Sequence, residues 1–366
     1  MQSLITILRE VRDPRDINAR HEVGTILFLA LAATLCGAKS CVEIAEFVEG
    51  REAELSAIVD LPYGAPSHDT FSRLFRLLDP AELARAFTAF MTALRSELGL
   101  PSPRGVVAID AKSLRRGYDK GRAHFPPLMV SVWDSETRVA IAQARAPNGN
   151  EVAATLKLLR GLVLKGCTVT GDALHCHPAM AEAVLAAKAH YALGLKANNG
   201  PLHAQAEQIF ATGGADAPSF ASEDKGHGRI ERRRASVLPA PIAARALLPG
   251  LTALARIEAE RRGSDGKIET TTRYVALSRP LTPAKLLEVV RAHWSIENHL
   301  HWTLDVVFNE DEARTRKNHG PENLAVIRRL AQNILRLHPS TASISSKMRR
   351  AMWSKDYFFE LFAHMR

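Results

Sequence analysis

Residues 105–117 read GVVAIDAKSLRRG and residues 166–176 read GCTVTGDALHC. Both segments begin with an apolar run rich in β-branched residues, which predicts a buried strand. Each run closes on an acid, Asp110 in the first and Asp172 in the second, so both carboxylates are expected at strand ends. Other strand-like runs lie at residues 125–134, 138–146 and 190–196. Three consecutive strands followed by alternating helices and strands predict an α/β fold around a mixed sheet.

A third acid, Glu297, lies in RAHWSIENHLHWTLDVVFNEDEARTR, residues 291–316. The apolar spacing there predicts a long amphipathic helix, and an unpaired charge among its apolar neighbours would be costly. Two strands and a helix that each deliver one acid are typical of a two-metal phosphoryl-transfer site, for which magnesium prefers carboxylate oxygens. Asp110, Asp172 and Glu297 are therefore the candidate metal ligands and catalytic residues.

The segment at 291–316 resembles the signature of the H-repeat-associated insertion-sequence transposases, a DDE-type family with a ribonuclease-H-like catalytic core. Similar motifs follow in order through nearly the whole chain: DPRD at 13–16, LCGAKSCVEIAEF at 35–47, PSHDTFSRLFRLLDP at 66–80, IDAKSLRRG at 109–117, NE at 150–151, DALHC at 172–176, LGLKANNGPLH at 193–203, GHGRIERR at 226–233 and ENLAVIRRLAQNIL at 322–335. This many collinear matches make the resemblance specific.

The resemblance implies a DNA transposase of a bacterial insertion sequence that cleaves element ends and joins them to target DNA. It also implies Asp110, Asp172 and Glu297 as the catalytic acids, two Mg²⁺ ions that Mn²⁺ can replace, and a dimer or higher oligomer on double-stranded DNA. The family usually has Gly where this chain has Ala111, and KGNQ where it has KANN at 196–199. A methyl group at Ala111 would crowd the turn if the backbone there needs a positive φ. Two alternatives remain: a nuclease of the same fold that does not join ends, and an inactive, domesticated DNA-binding protein.

Residues 1–100 have helical periodicity throughout and predict an all-helical N-terminal domain, which we expect to fold alone and bind DNA. Ser67 is the predicted N-cap of a short helix that carries Arg73 and Arg76. This helix is either the reading element of a helix-turn-helix or an ordinary surface helix, and its spacing fits both.

Turn formers at residues 101–105 mark a linker, after which residues 105–366 form the predicted catalytic domain. The 125 residues from Asp172 to Glu297 exceed what one strand and one helix need. Strand-like runs separated by turns predict a β-rich insertion at about 205–282, which accounts for the surplus. A helical tail is expected after the catalytic helix.

The net charge of +9 and pI of about 9.6 favour a polyanionic partner, with a merely basic surface as the alternative. The apolar stretch at 26–38 is shorter than the roughly 20 residues of a membrane span, so it predicts a buried helix. The sequence shows no secretory leader, and its four cysteines form no C-x-x-C pair. These features predict a cytoplasmic protein that binds nucleic acid and no membrane.

Basic residues near the candidate acids and in the insertion are the predicted DNA contacts, because phosphate contacts supply most sequence-independent affinity. Together with the N-terminal pair they are Arg73, Arg76, Lys112, Arg115, Arg116, Lys196, His227, Arg229, Arg232, Arg233, Arg314 and Arg316. The alternative for each is a solvated basic loop.

Three further acids follow Glu297 in sequence and are alternatives for the third ligand: Asp305, Glu310 and Asp311. On a continuous helix Asp305 would lie about 12 Å from Glu297, too far to complete the same metal pair. Glu310 and Asp311 are expected at the helix end, in caps or salt bridges with Arg314 and Arg316.

His175, Cys176 and His177 are consecutive in sequence. No complementary pair of residues with zinc-ligand spacing accompanies them, so a structural zinc site is not expected. Trp294 and Trp302 are eight residues apart on one predicted helical face. We expect them in the core, with base stacking on a splayed DNA end as the alternative.

Overall fold

The computed structural model describes residues 4–16, 18–118, 126–226, 229–263 and 266–363. The strands in this part of the chain are β1 (Val106–Ser113), β2 (Leu128–Asp134), β3 (Val139–Arg145), β4 (Thr168–Gly171), β5 (His190–Leu195), β6 (Ser219–Gly226), β7 (Arg229–Pro239), β8 (Ala253–Arg262) and β9 (Ile268–Leu277). They form a single mixed sheet in the order β3-β2-β1-β4-β5-β9-β8-β7-β6.

The α-helices are α1 (Leu4–Arg9), α2 (Val23–Leu35), α3 (Cys41–Gly50), α4 (Glu52–Leu55), α5 (His68–Leu77), α6 (Pro80–Glu97), α7 (Glu151–Leu159), α8 (Pro178–Ala186), α9 (Gly200–Gly213), α10 (Ile242–Arg245), α11 (Pro283–His293), α12 (Trp302–Val306), α13 (Gly320–Leu337), α14 (Ile344–Trp353) and α15 (Lys355–Ala363). A π-helical segment, Ile296–His301, joins α11 to α12.

The first five strands form the expected ribonuclease-H-like core. β1, β2 and β3 are an antiparallel meander, while β4 pairs parallel with both β1 and β5. Helix α7 connects β3 to β4, and α8 connects β4 to β5. The α/β fold class predicted from the order of strands and helices is confirmed.

The β-rich segment after α9 extends this same sheet. β9 pairs antiparallel with β5, and β8, β7 and β6 follow outward in antiparallel order. We call these four strands the sheet extension. Strands β7, β8 and β9 match the runs seen in the sequence, whereas β6 was not anticipated. One face of the extension buries a small apolar cluster, including Ile257 and Val275, with Leu286 and Val289 of α11.

The N-terminal helices share a hydrophobic core with the sheet and with the C-terminal helices. Asn323 of α13 donates to the carbonyls of Phe75 and Leu78 at 2.8 Å each. Asn333, farther along α13, bonds both the N–H and the carbonyl of Ala140 in β3. Because α13 is wedged between the N-terminal helices and the sheet, residues 1–100 do not pack as a separate unit.

Helix α5 begins as the sequence predicts. The Ser67 hydroxyl accepts from the N–H of Thr70, and the helix buries Phe71, Leu74 and Phe75. The side chain of Arg73 stays 65% exposed, 3.6 Å from Asp16. The apolar stretch at 26–38 lies in α2 and its following turn, and α2 is buried along its whole length. In the described ranges, no helix combines the length and apolar character needed to cross a membrane.

Candidate active site

Asp110 lies on β1, and Asp172 comes at the end of β4, the strand that pairs parallel with β1. The last pair in the register of β1 and β4 is Ala108 with Thr170, two residues before each aspartate. Neighbouring strands are roughly 4.8 Å apart. Asp172 directly follows β4, as expected. Asp110 does not close its strand, because β1 continues for three residues to Ser113.

The backbone at Ala111 is regular strand paired with Val130 of β2. Ala111 is not among the described residues with positive φ. The extra methyl group relative to the usual glycine therefore imposes no backbone strain at this position.

Glu297 lies in the π-helical segment, so the predicted long helix is interrupted where this acid is placed. A π turn adds one residue and rotates the side chains that follow by about 100°. Glu297 is exposed, which corrects the expectation of apolar surroundings. Trp294 and Trp302 are 38% and 57% exposed, so the prediction that both pack in the core is wrong.

Side chains from β2, from the residue that follows β2 and from β4 hold the helix that leads to Glu297 against the sheet. Trp133 Nε1 donates to Ser295 Oγ at 2.9 Å, and Ser135 Oγ donates to the carbonyl of Ala292 at 3.0 Å. His293 Nδ1 lies 2.9 Å from Thr170 Oγ1, two residues before Asp172. All three bonds involve residues just before the π segment, so they hold the start of the segment that carries Glu297 against β2 and β4.

Electrostatic interactions connect Asp110 with the other candidate acids. Burial is the main cause that raises the pKa of Asp110 to about 6. The N–H of Ala111, which donates to the Asp110 carboxylate, lowers this pKa and so opposes the effect of burial. The negative charges of Glu297, Asp172 and Glu151 also raise this pKa. The charges of these carboxylates therefore act on Asp110 across the space between them.

Hard carboxylate oxygens in an open site suit a divalent ion such as magnesium. The Asp172 side chain is 49% exposed and that of Asp110 is 28% exposed, which leaves room for water and phosphate oxygens. In the described part of the chain, no three His, Cys, Asp or Glu side chains are already gathered tightly enough to hold a metal ion. A bound cation would relieve the repulsion among the acids, so their chemistry fits such an ion.

Asp172 is held by a short chain of hydrogen bonds that the sequence did not reveal. His175 Nδ1 bonds Asp172 Oδ1 at 3.0 Å, and His175 Nε2 bonds Thr155 Oγ1 of α7 at 3.1 Å. The bond from His175 lowers the pKa of Asp172. A Cβ at Gly171 would lie 2.9 Å from His175, so glycine leaves space for the buried ring. Asn199 also supports this loop by donating to the carbonyls of Ala173 and Cys176.

Comparison with known proteins assigns the family. The model described as "Transposase DDE domain" matches residues 101–334, and "DDE_Tnp_1-associated" matches residues 5–91. The chain belongs to the DDE transposase family. Families of this type act on DNA and generally use divalent metals, and their catalytic domain implies a ribonuclease-H-like core.

Curated relatives cover nearly the whole DDE transposase chain. "Putative protein YbfL" and "H repeat-associated putative transposase YhhI", both of Escherichia coli (strain K12), are each 32% identical over 94% of this chain and 93% of their own length. "Uncharacterized protein in dhlA 3'region" of Xanthobacter autotrophicus is 33% identical over 75% of this chain and 93% of its own. The resemblance to the H-repeat-associated transposases is confirmed.

Lys112, a predicted phosphate contact of this DDE transposase, is buried. Its Nζ lies 2.6 Å from Asp305 Oδ1 and 2.8 Å from Asp311 Oδ1. In this arrangement Lys112 ties β1 to the end of the catalytic helix instead of presenting its charge to solvent. Its contact with DNA stays a prediction that would need these ion pairs to open.

The acids after the catalytic helix do not pair with Arg314 and Arg316, which corrects the expectation from the sequence. Asp311 pairs with Lys112 and, at 3.2 Å, with Arg115. Glu310 is fully buried and lies 3.0 Å from Arg329 of α13. Both acids therefore anchor the chain that leaves the catalytic helix.

Four predicted DNA contacts of the DDE transposase meet beside this anchor. A cavity of about 310 Å³ is lined by Arg115, Arg116, Tyr118, Arg314 and Arg316. Arg316 Nε donates to the carbonyl of Arg116 at 3.2 Å, which joins the two segments. Residues about 200 positions apart in sequence thus form one basic pocket.

The other predicted contacts are dispersed. Arg76 is half-buried on α5, and Lys196 is exposed after β5. Arg232 and Arg233 are adjacent on β7, so they project from opposite faces of the sheet extension. Arg229 begins β7, and His227 lies outside the described residues.

Proposed function

We propose that this DDE transposase cleaves DNA at the ends of an insertion sequence and joins the freed ends to target DNA, with Mg²⁺ as cofactor. The proposal is supported by the parallel pairing of β1 with β4, the strands that supply Asp110 and lead to Asp172, and by the charges of Glu297 and Asp172 that act on Asp110.

The three acids are proposed to bind two divalent ions, with Mn²⁺ able to replace Mg²⁺. Such ions, when bound, activate the attacking oxygen and stabilise the leaving oxygen of a phosphodiester. The protein then has to hold its carboxylates in place. The His175 and Thr155 bonds orient Asp172, and the Ser295 bond to Trp133 orients the helix of Glu297.

The basic pocket, which is lined by Arg115, Arg116, Tyr118, Arg314 and Arg316, is proposed to hold phosphates of the DNA strand that enters the site. Arg115 is 74% exposed and lies five residues after Asp110 along the chain. Arg73 on α5 is proposed as a more distant contact to the element end, with Arg76 beside it. Cations that neutralise phosphates release counterions, so binding is expected to weaken steeply with salt.

The central test is cleavage of a labelled end fragment by Asp110→Asn, Asp172→Asn and Glu297→Gln. Each change removes one carboxylate charge with little loss of volume, so metal-dependent nicking should be abolished while a gel shift of the end fragment persists. Wild-type nicking by any one variant would exclude that residue as a metal ligand.

Joining distinguishes a transposase from a nuclease of the same fold. A pre-cleaved end with a free 3′-hydroxyl should be inserted into plasmid DNA by the wild-type protein, including paired insertions of two ends. The same end with a 3′-deoxy terminus should fail, because its nucleophile is missing. Cleavage of the donor without any joined product would establish the nuclease alternative.

A further inference from the structure

Glu151 lies close to the candidate metal site, although it was not among the predicted site residues. It opens α7, directly after the capping residue Asn150, whose side chain accepts from the N–H of Ala153. Helix α7 follows β3 on the far side of the meander, so its sequence position alone does not indicate proximity to Asp172. The hydrogen-bond chain through His175 supplies that link.

The geometry follows from Thr155. Glu151 and Thr155 are four residues apart on α7 and therefore lie on the same face, one turn apart. Thr155 Oγ1 is 3.1 Å from Nε2 of the buried His175, whose Nδ1 is 3.0 Å from Asp172 Oδ1. The face of α7 that carries Glu151 is thus fastened to the loop of Asp172.

The charges agree with this geometry. The Glu151 charge is one of those that raise the pKa of Asp110. Burial raises the pKa of Glu151 itself, and Asp172 adds to this while His175 opposes it. Negative charges close to one another disfavour ionisation, and a shared cation removes this repulsion.

We propose that Glu151 is a fourth carboxylate of the metal site, so that one divalent ion is bound between α7 and the strand pair β1–β4. This inference rests on the proposed function, because it assumes that Asp110 and Asp172 bind metal. Glu151 then adds a ligand from α7, whereas Glu297 comes from the π-helical segment after α11. Thr155 and His175 keep α7 at the distance that this ligand requires.

A simpler role for Glu151 predicts the opposite effect on stability. An acid in the first turn of a helix is stabilised by the helix dipole, so its removal would destabilise the fold. A site carboxylate is repelled by its neighbours when no cation is present, so its removal would stabilise the metal-free protein. The sign of the change in melting temperature therefore separates the two roles.

The test compares full-length Glu151→Gln with wild type and with Glu182→Gln, which removes an exposed carboxylate from the neighbouring helix α8. Mn²⁺ binding is measured by calorimetric titration without DNA, and melting is followed with and without saturating Mn²⁺. We expect Glu151→Gln to bind Mn²⁺ about 10- to 100-fold more weakly, as for the loss of a group that supports a metal site. It should also melt higher without metal and gain less from Mn²⁺, whereas Glu182→Gln should behave as wild type.

Asp110→Asn separates failure of this inference from failure of the proposed function. If Asp110→Asn loses Mn²⁺ binding but Glu151→Gln retains wild-type affinity, the fourth carboxylate is excluded and the three-acid site stands. If neither change affects Mn²⁺ binding, the proposal that these acids form a metal site is wrong. Glu151→Asp keeps the charge at the helix start but shortens the side chain, so weak binding by this variant in a normally folded protein would also support the inference.

Discussion

The two ends of the nine-stranded sheet differ in how charge is used. In the ribonuclease-H-like half, β1 to β5, ionic groups are few and many are buried, such as the pair of Arg95 and Asp134. In the sheet extension, charged residues are numerous and exposed, such as the pair of Arg232 and Glu223. Buried ionic groups fix one geometry because an unpaired partner is costly, whereas exposed pairs contribute little. The difference indicates that buried ionic groups fix the geometry of the first half, whereas the charges of the second half are accessible to solvent.

The largest expected effect comes from breaking the buried pair. Arg95 of α6 lies 2.8 Å from Asp134 of β2 and also donates to the carbonyl of Pro101. Arg95→Met should lower the free energy of unfolding by about 3–5 kcal/mol, because it leaves the Asp134 carboxylate buried without its partner. Chemical denaturation measures this.

Arg85→Met, on an exposed face of the same helix, is the matched control and should change stability little. Equal losses in the two variants would contradict the contrast between buried and exposed charge. A large loss specific to Arg95→Met would also confirm that the N-terminal helices depend on the catalytic sheet for their stability.

An intermediate effect is expected from pH in the metal-free protein. The pKa of Asp110 is raised from 3.8 to about 6, so the folded state holds this proton more tightly than the unfolded state. The associated stability is present below about pH 4 and is lost as pH rises through 6, by up to about 3 kcal/mol. The Asp110→Asn variant has no carboxyl group at this position, so it does not lose this stability as pH rises.

Without divalent ions, Asp110→Asn should therefore be more stable than wild type at pH 8 and nearly equal to it at pH 4. Denaturation at both pH values, with the exposed Asp60→Asn as control, measures the difference. A constant difference across this range would mean that burial and the neighbouring charges do not raise the pKa of Asp110. Saturating Mg²⁺ should reduce the advantage of the variant, because only wild type retains the full ligand set.

The central half of the molecule could be predicted from sequence because its strands are short, apolar and rich in β-branched residues. Their order alone predicts the ribonuclease-H-like core, and the acids at 110 and 172 follow from the strand pattern. The third acid came from the motif around Glu297 and from family resemblance. The π turn there was missed, since an apolar spacing of three and four residues fits both a continuous helix and one with a single inserted residue.

The remaining features depend on partners distant in sequence. Lys112 was predicted to contact phosphate, but in the structure its side chain is buried and bonds Asp311, which is 199 residues away in sequence. Trp302 looked like a core residue, but the π turn directs it to the surface. The boundary near residue 100 is a turn-rich linker in sequence, yet α13 returns to fill the space between the N-terminal helices and the sheet. Local patterns predict elements well and predict their contacts poorly.

The smallest expected effect concerns two neighbouring arginines of the sheet extension. Arg233 lies on the face of the sheet extension that also carries Asp224 and Arg273. Asp224 accepts a hydrogen bond from Arg291 of α11, and Arg273 lies over the ring of Trp294 at the end of α11. Arg232 lies on the opposite face, paired with Glu223 at 2.7 Å. Only the Arg233 face adjoins the helix of Glu297, so DNA that reaches the acids should pass along it.

Arg233→Ala should weaken binding of an end fragment and reduce the slope of log affinity against log salt by about 1, the change expected for one lost phosphate contact. Arg232→Ala should leave both the slope and the melting temperature close to wild type, because its ion pair is exposed and its face points away from the catalytic helix. Salt-dependent gel shifts of the two variants measure this. Equal slopes for the two variants would mean that the extension does not present one face to DNA, and a larger change for Arg232→Ala would assign DNA to the face opposite the catalytic helix.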